Sequence, residues 1–172
     1  FTVIATNAVG NSMASAASNA VIPKGNQTIT FNNPGAQNFG TTPTLTATSS
    51  AGAGYAVSFS SATAGVCTIT TGGTLTFVTA GSCTIDADQP GDAAVNAATT
   101  VSQTFMVNAV VPSAPTIGTA TAGDTEATVL FAAPASNGGA PILAGGYTVT
   151  ASPGGATATG SSAPITVAGL TN

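Results

Sequence analysis

Gly65-Val66-Cys67-Thr68-Ile69-Thr70-Thr71-Gly72-Gly73-Thr74-Leu75-Thr76-Phe77-Val78-Thr79-Ala80-Gly81-Ser82-Cys83-Thr84-Ile85-Asp86-Ala87-Asp88 carries a strong strand pattern. Apolar and polar residues alternate through three short runs, and glycines separate the runs. A period of two over four to six residues is the mark of half-buried strands rather than of a helix. Alternation puts Cys67, Ile69, Leu75, Phe77, Cys83, Ile85 and Ala87 on the inner face and their Thr and Asp neighbours outside. If runs 66–70, 75–78 and 83–88 go up, down and up as a meander, Cys67 and Cys83 start strands that enter from the same end. A disulfide between them then pins the first run to the third. They are the chain's two cysteines. Buried free thiols are the alternative, and two Cys with no His make a poor zinc site.

Working outward, residues 24–112 hold seven strand candidates: Thr28–Phe31, Leu45–Ser49, Ala56–Ser60, Val66–Thr70, Leu75–Val78, Cys83–Asp88 and Val101–Val107. Turn signals separate them, including Asn33-Pro34-Gly35, Thr71-Gly72-Gly73 and Gln89-Pro90-Gly91. Seven short strands at this spacing predict a β-sandwich. Its expected core adds Ile29, Phe31, Leu45, Val57, Phe59, Phe105 and Val107. Two proline-bearing stretches, Val21-Ile22-Pro23-Lys24-Gly25 and Val110-Val111-Pro112-Ser113-Ala114-Pro115, mark the boundaries of this unit. Proline restricts its own φ and pushes its predecessor to extended geometry, so both read as short, stiff linkers. Strands are expected at Phe1–Thr6 and Ala17–Val21 before the unit, and at Thr116–Thr119, Glu126–Ala132, Gly146–Ala151 and Pro164–Ala168 after it.

The chain has 172 residues, 43% of them hydrophobic and 3% charged. A typical soluble domain carries roughly 25% charged residues. Lys24, Asp86, Asp88, Asp92, Asp124 and Glu126 are the whole charged set, for a net charge of −4. One Lys, no Arg and no His argue against nucleic acid, which needs clustered basic residues, and against an anionic membrane surface. No apolar run is long enough for a transmembrane helix, so no membrane insertion by a helix is expected. The start at Phe1-Thr2-Val3-Ile4 has no basic n-region and reads as mid-strand rather than as a signal peptide.

Catalytic chemistry lacks parts. Triads, His–metal sites and Schiff-base chemistry need residues that the chain does not carry in the right company, so no catalytic residue and no cofactor are expected. Asp86, Asp88 and Asp92 form the acidic cluster and are the candidate Ca²⁺ ligands; the plainer reading is a solvated turn. Tyr55, after Gly54 in a loop, is a candidate contact residue, with a place at the edge of the core as the plainer reading, while Tyr147 points by alternation into its own core. Ile4 and Leu130 fall on outward positions and are candidate lateral contacts. Asn26-Gln27-Thr28 matches the glycosylation sequon and is read as chance.

Three groups of residues resemble known families. Pro115-Thr116-Ile117, Ala127-Thr128-Val129-Leu130-Phe131-Ala132-Ala133-Pro134, Asn137-Gly138-Gly139-Ala140-Pro141-Ile142 and Gly146-Tyr147-Thr148-Val149 resemble, in that order, the first half of a bacterial fibronectin type III domain, with Phe131 where that family usually has Trp. Ala168-Gly169-Leu170-Thr171-Asn172 resembles the approach to its sixth strand, and Phe1-Thr2-Val3-Ile4-Ala5-Thr6-Asn7-Ala8-Val9-Gly10-Asn11-Ser12 resembles that strand and the turn after it. The middle unit resembles bacterial immunoglobulin-like repeats of large secreted adhesins, through Ser58-Phe59-Ser60, Gly65-Val66-Cys67-Thr68-Ile69, Leu75-Thr76-Phe77, Ala80-Gly81-Ser82-Cys83-Thr84-Ile85 and Asp88-Gln89-Pro90-Gly91-Asp92. The resemblances imply an all-β chain of immunoglobulin-like β-sandwiches in tandem, one complete and two partial. Residues 1–23 would be the last strands of one domain, 24–112 a complete sandwich, and 113–172 the first strands of another. They imply an extracellular spacer or adhesive module, a structural repeat unit of a bacterial filament, sheath or giant adhesin. Its partners would be other copies of itself, neighbouring repeats, or a cell-surface or glycan ligand. The alternatives are an accessory module of a secreted hydrolase and a phage or virion surface fibre.

Overall fold

The structure is a computed structural model and describes residues 1–171. The chain is all-β, with no helix among the described residues. It begins with a hairpin of β1 (Thr6–Asn7) and β2 (Gly10–Asn11). The Asn7 carboxamide oxygen accepts from the Val9 and Gly10 amides and closes the turn. Pairing continues past the hairpin in an unusual register. The amides of Ser12, Ser15 and Ser18 donate to the carbonyls of Ala5, Val3 and Phe1 at 2.8–2.9 Å. Each serine Oγ in turn accepts from the backbone nitrogen of the same partner. One strand thus advances three residues for every two of the other, and a hydroxyl supplies each missing acceptor. This corrects the expected second strand at Ala17–Val21: the immediate turn at Asn7–Gly10 returns the chain earlier, and the serine ladder ends at Ser18.

The middle unit runs through β3 (Ile29–Phe31), β4 (Gln37–Asn38), β5 (Ala47–Ser49), β6 (Ser58–Ser61), β7 (Cys67–Ile69), β8 (Leu75–Phe77), β9 (Gly81–Asp88) and β10 (Val101–Asn108). One layer is a four-stranded sheet in the order β4-β10-β9-β6. The other is made of the pairs β3–β5 and β7–β8. A bridge between Thr44 and Thr74 joins those pairs, with Leu45 N donating to the Gly73 carbonyl and Leu75 N to that of Pro43. All seven expected strands are present; β4, a two-residue parallel partner of β10, is additional. The core between the layers contains Ile29, Phe31, Leu45, Phe59, Cys67, Leu75, Phe77, Cys83, Ile85, Ala87, Phe105 and Val107, with Val57 and Ile69 half-buried against it. Phe31 and Phe59 meet edge-to-face at 5.3 Å.

Cys67 and Cys83 form a disulfide with a Cα–Cα distance of 5.8 Å. Its setting differs from the expected meander. β7 and β8 pair as a hairpin, but β9 leaves them for the opposite sheet, where it lies between β6 and β10. The amides of Val78 and Thr79 both donate to the Val66 carbonyl and turn the chain across. The disulfide therefore ties one layer to the other through the fully buried core.

The last segment comprises β11 (Thr116–Ala122), β12 (Glu126–Ala132), β13 (Tyr147–Thr150), β14 (Thr157–Gly160) and β15 (Ile165–Ala168). One sheet has the order β11-β12-β15, and β13–β14 form a second. β14, rich in Thr, Ala and Gly, has no counterpart among the expected strands. Val129, Ile165 and Val167 are buried, whereas every residue of β11 is exposed. Phe131 and Tyr147 pack across the two sheets with ring centroids 4.8 Å apart.

Replacing both cysteines, Cys67→Ala with Cys83→Ala, should lower the unfolding free energy by about 3 kcal/mol, the chain-entropy value for a loop of this length. Urea unfolding followed by far-UV circular dichroism reads this as a lower midpoint. An unchanged midpoint would contradict a structural role for the bond.

Candidate interdomain joint and assembly surfaces

The most specific polar contacts between segments lie where the chain leaves the middle unit. After β10 the backbone passes Val110 and Pro112, and the loop 136–140 folds back against them. Val110 N donates to the Gly138 carbonyl at 2.9 Å, and Ser113 N to that of Ser136 at 3.0 Å. The Gly139 carbonyl accepts twice from the middle unit: from Ala80 N at 2.8 Å and from Thr79 Oγ1 at 2.9 Å. The Ser136 hydroxyl and the Asn137 carboxamide oxygen accept from the amides of Gly138 and Gly139 and hold the loop in shape. Both glycines are buried and have positive φ, 75° and 85°. A Cβ on Gly139 would sit 2.6 Å from the Phe39 ring, and one on Gly138 would collide with the Val110 carbonyl. Only glycine combines this conformation with so close an approach. Phe39 is itself packed against the middle core. The joint therefore couples the last segment to the interior of the middle unit through uncharged groups.

The last segment also carries an open groove of about 240 Å³, lined by Pro115, Ile117, Phe131 and all four residues of β13, Tyr147, Thr148, Val149 and Thr150. Ile117 on its rim is 72% exposed. β13 pairs with β14 on one side, and its other edge lines this groove. The first hairpin is bare as well: Phe1, Val3, Val9, Met13, Val21 and Ile22 are all more than 60% exposed. β1 and β13 belong to different sheets, so the hairpin does not cover the groove within the chain.

The residues singled out in the sequence fall as follows. Ile4 and Leu130 are exposed, at 53% and 47%. Asp86, Asp88 and Asp92 do not converge on one point. Asp86 accepts from the Ser102 hydroxyl and Asp88 from that of Thr100, both on or beside β10. Asp92 caps its own loop by accepting from the amides of Ala94 and Val95 at 2.7 and 2.9 Å. Among the described residues no group of three His, Cys, Asp or Glu could hold a metal ion. The two amides, with lesser help from the Tyr55 hydroxyl and Lys24, hold the Asp92 carboxyl below its ordinary value. Desolvation, then the Asp92 carboxylate, pushes the Tyr55 phenol up. Tyr55 is half-buried in the turn after β5, its amide donating to the Gly52 carbonyl at 3.0 Å. Gly138, Gly139, Phe39 and Thr79 were not singled out as contacts. The run Asn137-Gly138-Gly139 marks a turn in the sequence, but its docking partners Phe39, Thr79 and Ala80 lie far earlier in the chain.

No family model matches the sequence, and no curated protein matches it significantly.

Gly139→Ala should cost the joint about 1–3 kcal/mol through backbone strain and the Phe39 collision. The two units should then tumble with separate correlation times in ¹⁵N relaxation, with the middle unit still folded. One shared correlation time in the variant would contradict the joint.

Proposed function

We propose that this chain is a segment of an extracellular structural array, in which the middle unit is an immunoglobulin-like spacer and the flanking strands are parts of fibronectin type III-like domains. The observation that carries this reading is the joint at Gly138–Gly139. A spacer has to transmit the orientation of one unit to the next, and the three bonds from Thr79, Ala80 and Val110 to the Gly138 and Gly139 carbonyls, with the Phe39 packing, support that role. The strand order of the middle unit supports the immunoglobulin-like assignment. Its layers run β3-β5-β8-β7 and β4-β10-β9-β6 when the Thr44–Thr74 bridge is included. The cross-layer disulfide fits an oxidising environment, which supports secretion to the cell surface. The reading assigns no catalytic role to any residue; the partners are neighbouring repeats and further copies of the chain.

A filament or sheath built from this chain holds together through cores, backbone pairing and neutral surface contacts, since six charged side chains leave little for ion pairs to contribute. Immunogold labelling of intact cells with an antibody to residues 24–112 tests this directly. The label should follow extracellular filaments or a sheath, and should stay there through a wash in 1 M salt, where the Debye length falls to roughly 3 Å. Label inside the cell, or filaments that dissolve in salt, would contradict the proposal.

A further inference from the structure

The free edge of β13 and the bare first hairpin match each other in their lack of charged side chains and in parity. The pairing geometry settles which backbone groups each edge offers. Ala151 N donates to the Ala156 carbonyl, and the β13–β14 register places Val149 opposite Ala158 and Tyr147 opposite Gly160. In an antiparallel ladder the hydrogen-bonded pairs alternate. The amides and carbonyls of Tyr147 and Val149 therefore face β14, and those of Thr148 and Thr150 face the open side. On the hairpin, Phe1, Val3 and Ala5 spend their backbone groups on the serine ladder. That leaves Thr2, Ile4 and Thr6 with their backbone groups toward the hairpin's own free edge.

We propose that the open edge of β13 takes, antiparallel, the Phe1–Asn7 strand of a second copy of this chain, an inference that rests on the reading of the chain as an array module. Side-chain parity follows from backbone parity. Thr148 and Thr150 are exposed, while Tyr147 and Val149 are half-buried toward the groove. Strands that pair through Thr148 and Thr150 on one side and Thr2, Ile4 and Thr6 on the other set Phe1, Val3 and Ala5 on the Tyr147 and Val149 face. Three apolar side chains then cover the groove lined by Ile117 and Phe131, and Ile4 stays outside. The hairpin carries no charged side chain, so none is desolvated. The added β1 and β2 complete a four-stranded sheet opposite β11-β12-β15.

Within one chain β1 and β13 lie in different sheets, and Gly25 is held to the loop before β10 by bonds with Ala94 and Asn96. A donor on one end and an acceptor on the other make a heterologous, head-to-tail contact, which propagates into open chains.

The test uses the whole chain in sedimentation equilibrium. The wild type should form dimers and longer species above the 16.2 kDa monomer as concentration rises. Thr148→Pro removes an edge amide but none of those facing β14. Val3→Asp puts a charge on the inward face of the donor. Each variant alone should be monomeric, and an equimolar mixture should stop at a 1:1 heterodimer, because each supplies the part the other lacks. Ile4→Asp, on the outward face, should associate like the wild type. A wild type that stays monomeric, a mixture that fails to pair, or equal losses from Val3→Asp and Ile4→Asp would overturn the inference. The spacer reading is judged apart from it, by the shared correlation time of the two units in the monomeric Thr148→Pro chain.

Discussion

A β-sheet has two surfaces to cover, its apolar face and its row of edge amides, and both cost free energy when left to water or left unpaired. That requirement divides this chain into three. The middle unit meets it internally. Its two layers bury each other's apolar faces, β4 and β6 close the four-stranded sheet, and the Cys67–Cys83 bond holds the layers together where β7 faces β9. The flanking segments do not meet it. The first hairpin has every residue exposed, and the last segment leaves a groove and an edge open. The joint at Gly139 and the bare strands are thus two answers to one problem: the first fixes an orientation, the second offers an unfinished sheet.

The scarcity of charge shapes how polar groups are satisfied inside. Gln27 and Gln89 are both buried, and their carboxamides bond to each other. Gln27 also donates to the Asn96 carbonyl at 2.8 Å and accepts from the Ser49 hydroxyl at 2.6 Å, while Gln89 accepts from Gly91 N. This neutral network ties the entry of β3, the end of β5 and the loop after β9 without desolvating a charge. On the surface, hydroxyl pairs such as Thr84–Thr104 and Thr128–Thr166 run across neighbouring strands at 2.8 and 2.9 Å. Such contacts involve no ionised group, so salt has little in them to screen.

The middle unit was legible because its strands alternate cleanly and one face of each is buried, as with Leu75 and Phe77 or Cys83, Ile85 and Ala87. The cysteine pair was legible for the same reason, but its crossing between layers was not: alternation fixes faces and says nothing of which strand is the next neighbour. β4 leaves no mark in the sequence, because Gln37 and Asn38 carry no apolar alternation. Neither does β14, because Thr157-Ala158-Thr159-Gly160 has little apolar contrast. In the first hairpin the spacing Ser12, Ser15, Ser18 carried a signal of three-residue advance that a search for alternation passes over. The joint needed the fold itself, since Gly139 meets Phe39, Thr79 and Ala80 only after the middle unit has closed.

Amide hydrogen exchange on the dilute, monomeric chain tests most directly the claim that one finished sandwich carries two unfinished flanks. Amides of Ile85, Ala87, Phe105 and Val107 should exchange slowest, near the limit set by global unfolding. Those of Thr2, Ile4, Thr148 and Thr150 should exchange orders of magnitude faster, because each faces an open edge. Protection at Thr148 and Ile4 equal to that of Ile85 in a monomer would mean that the edges are already covered within one chain, and the division described here would be wrong.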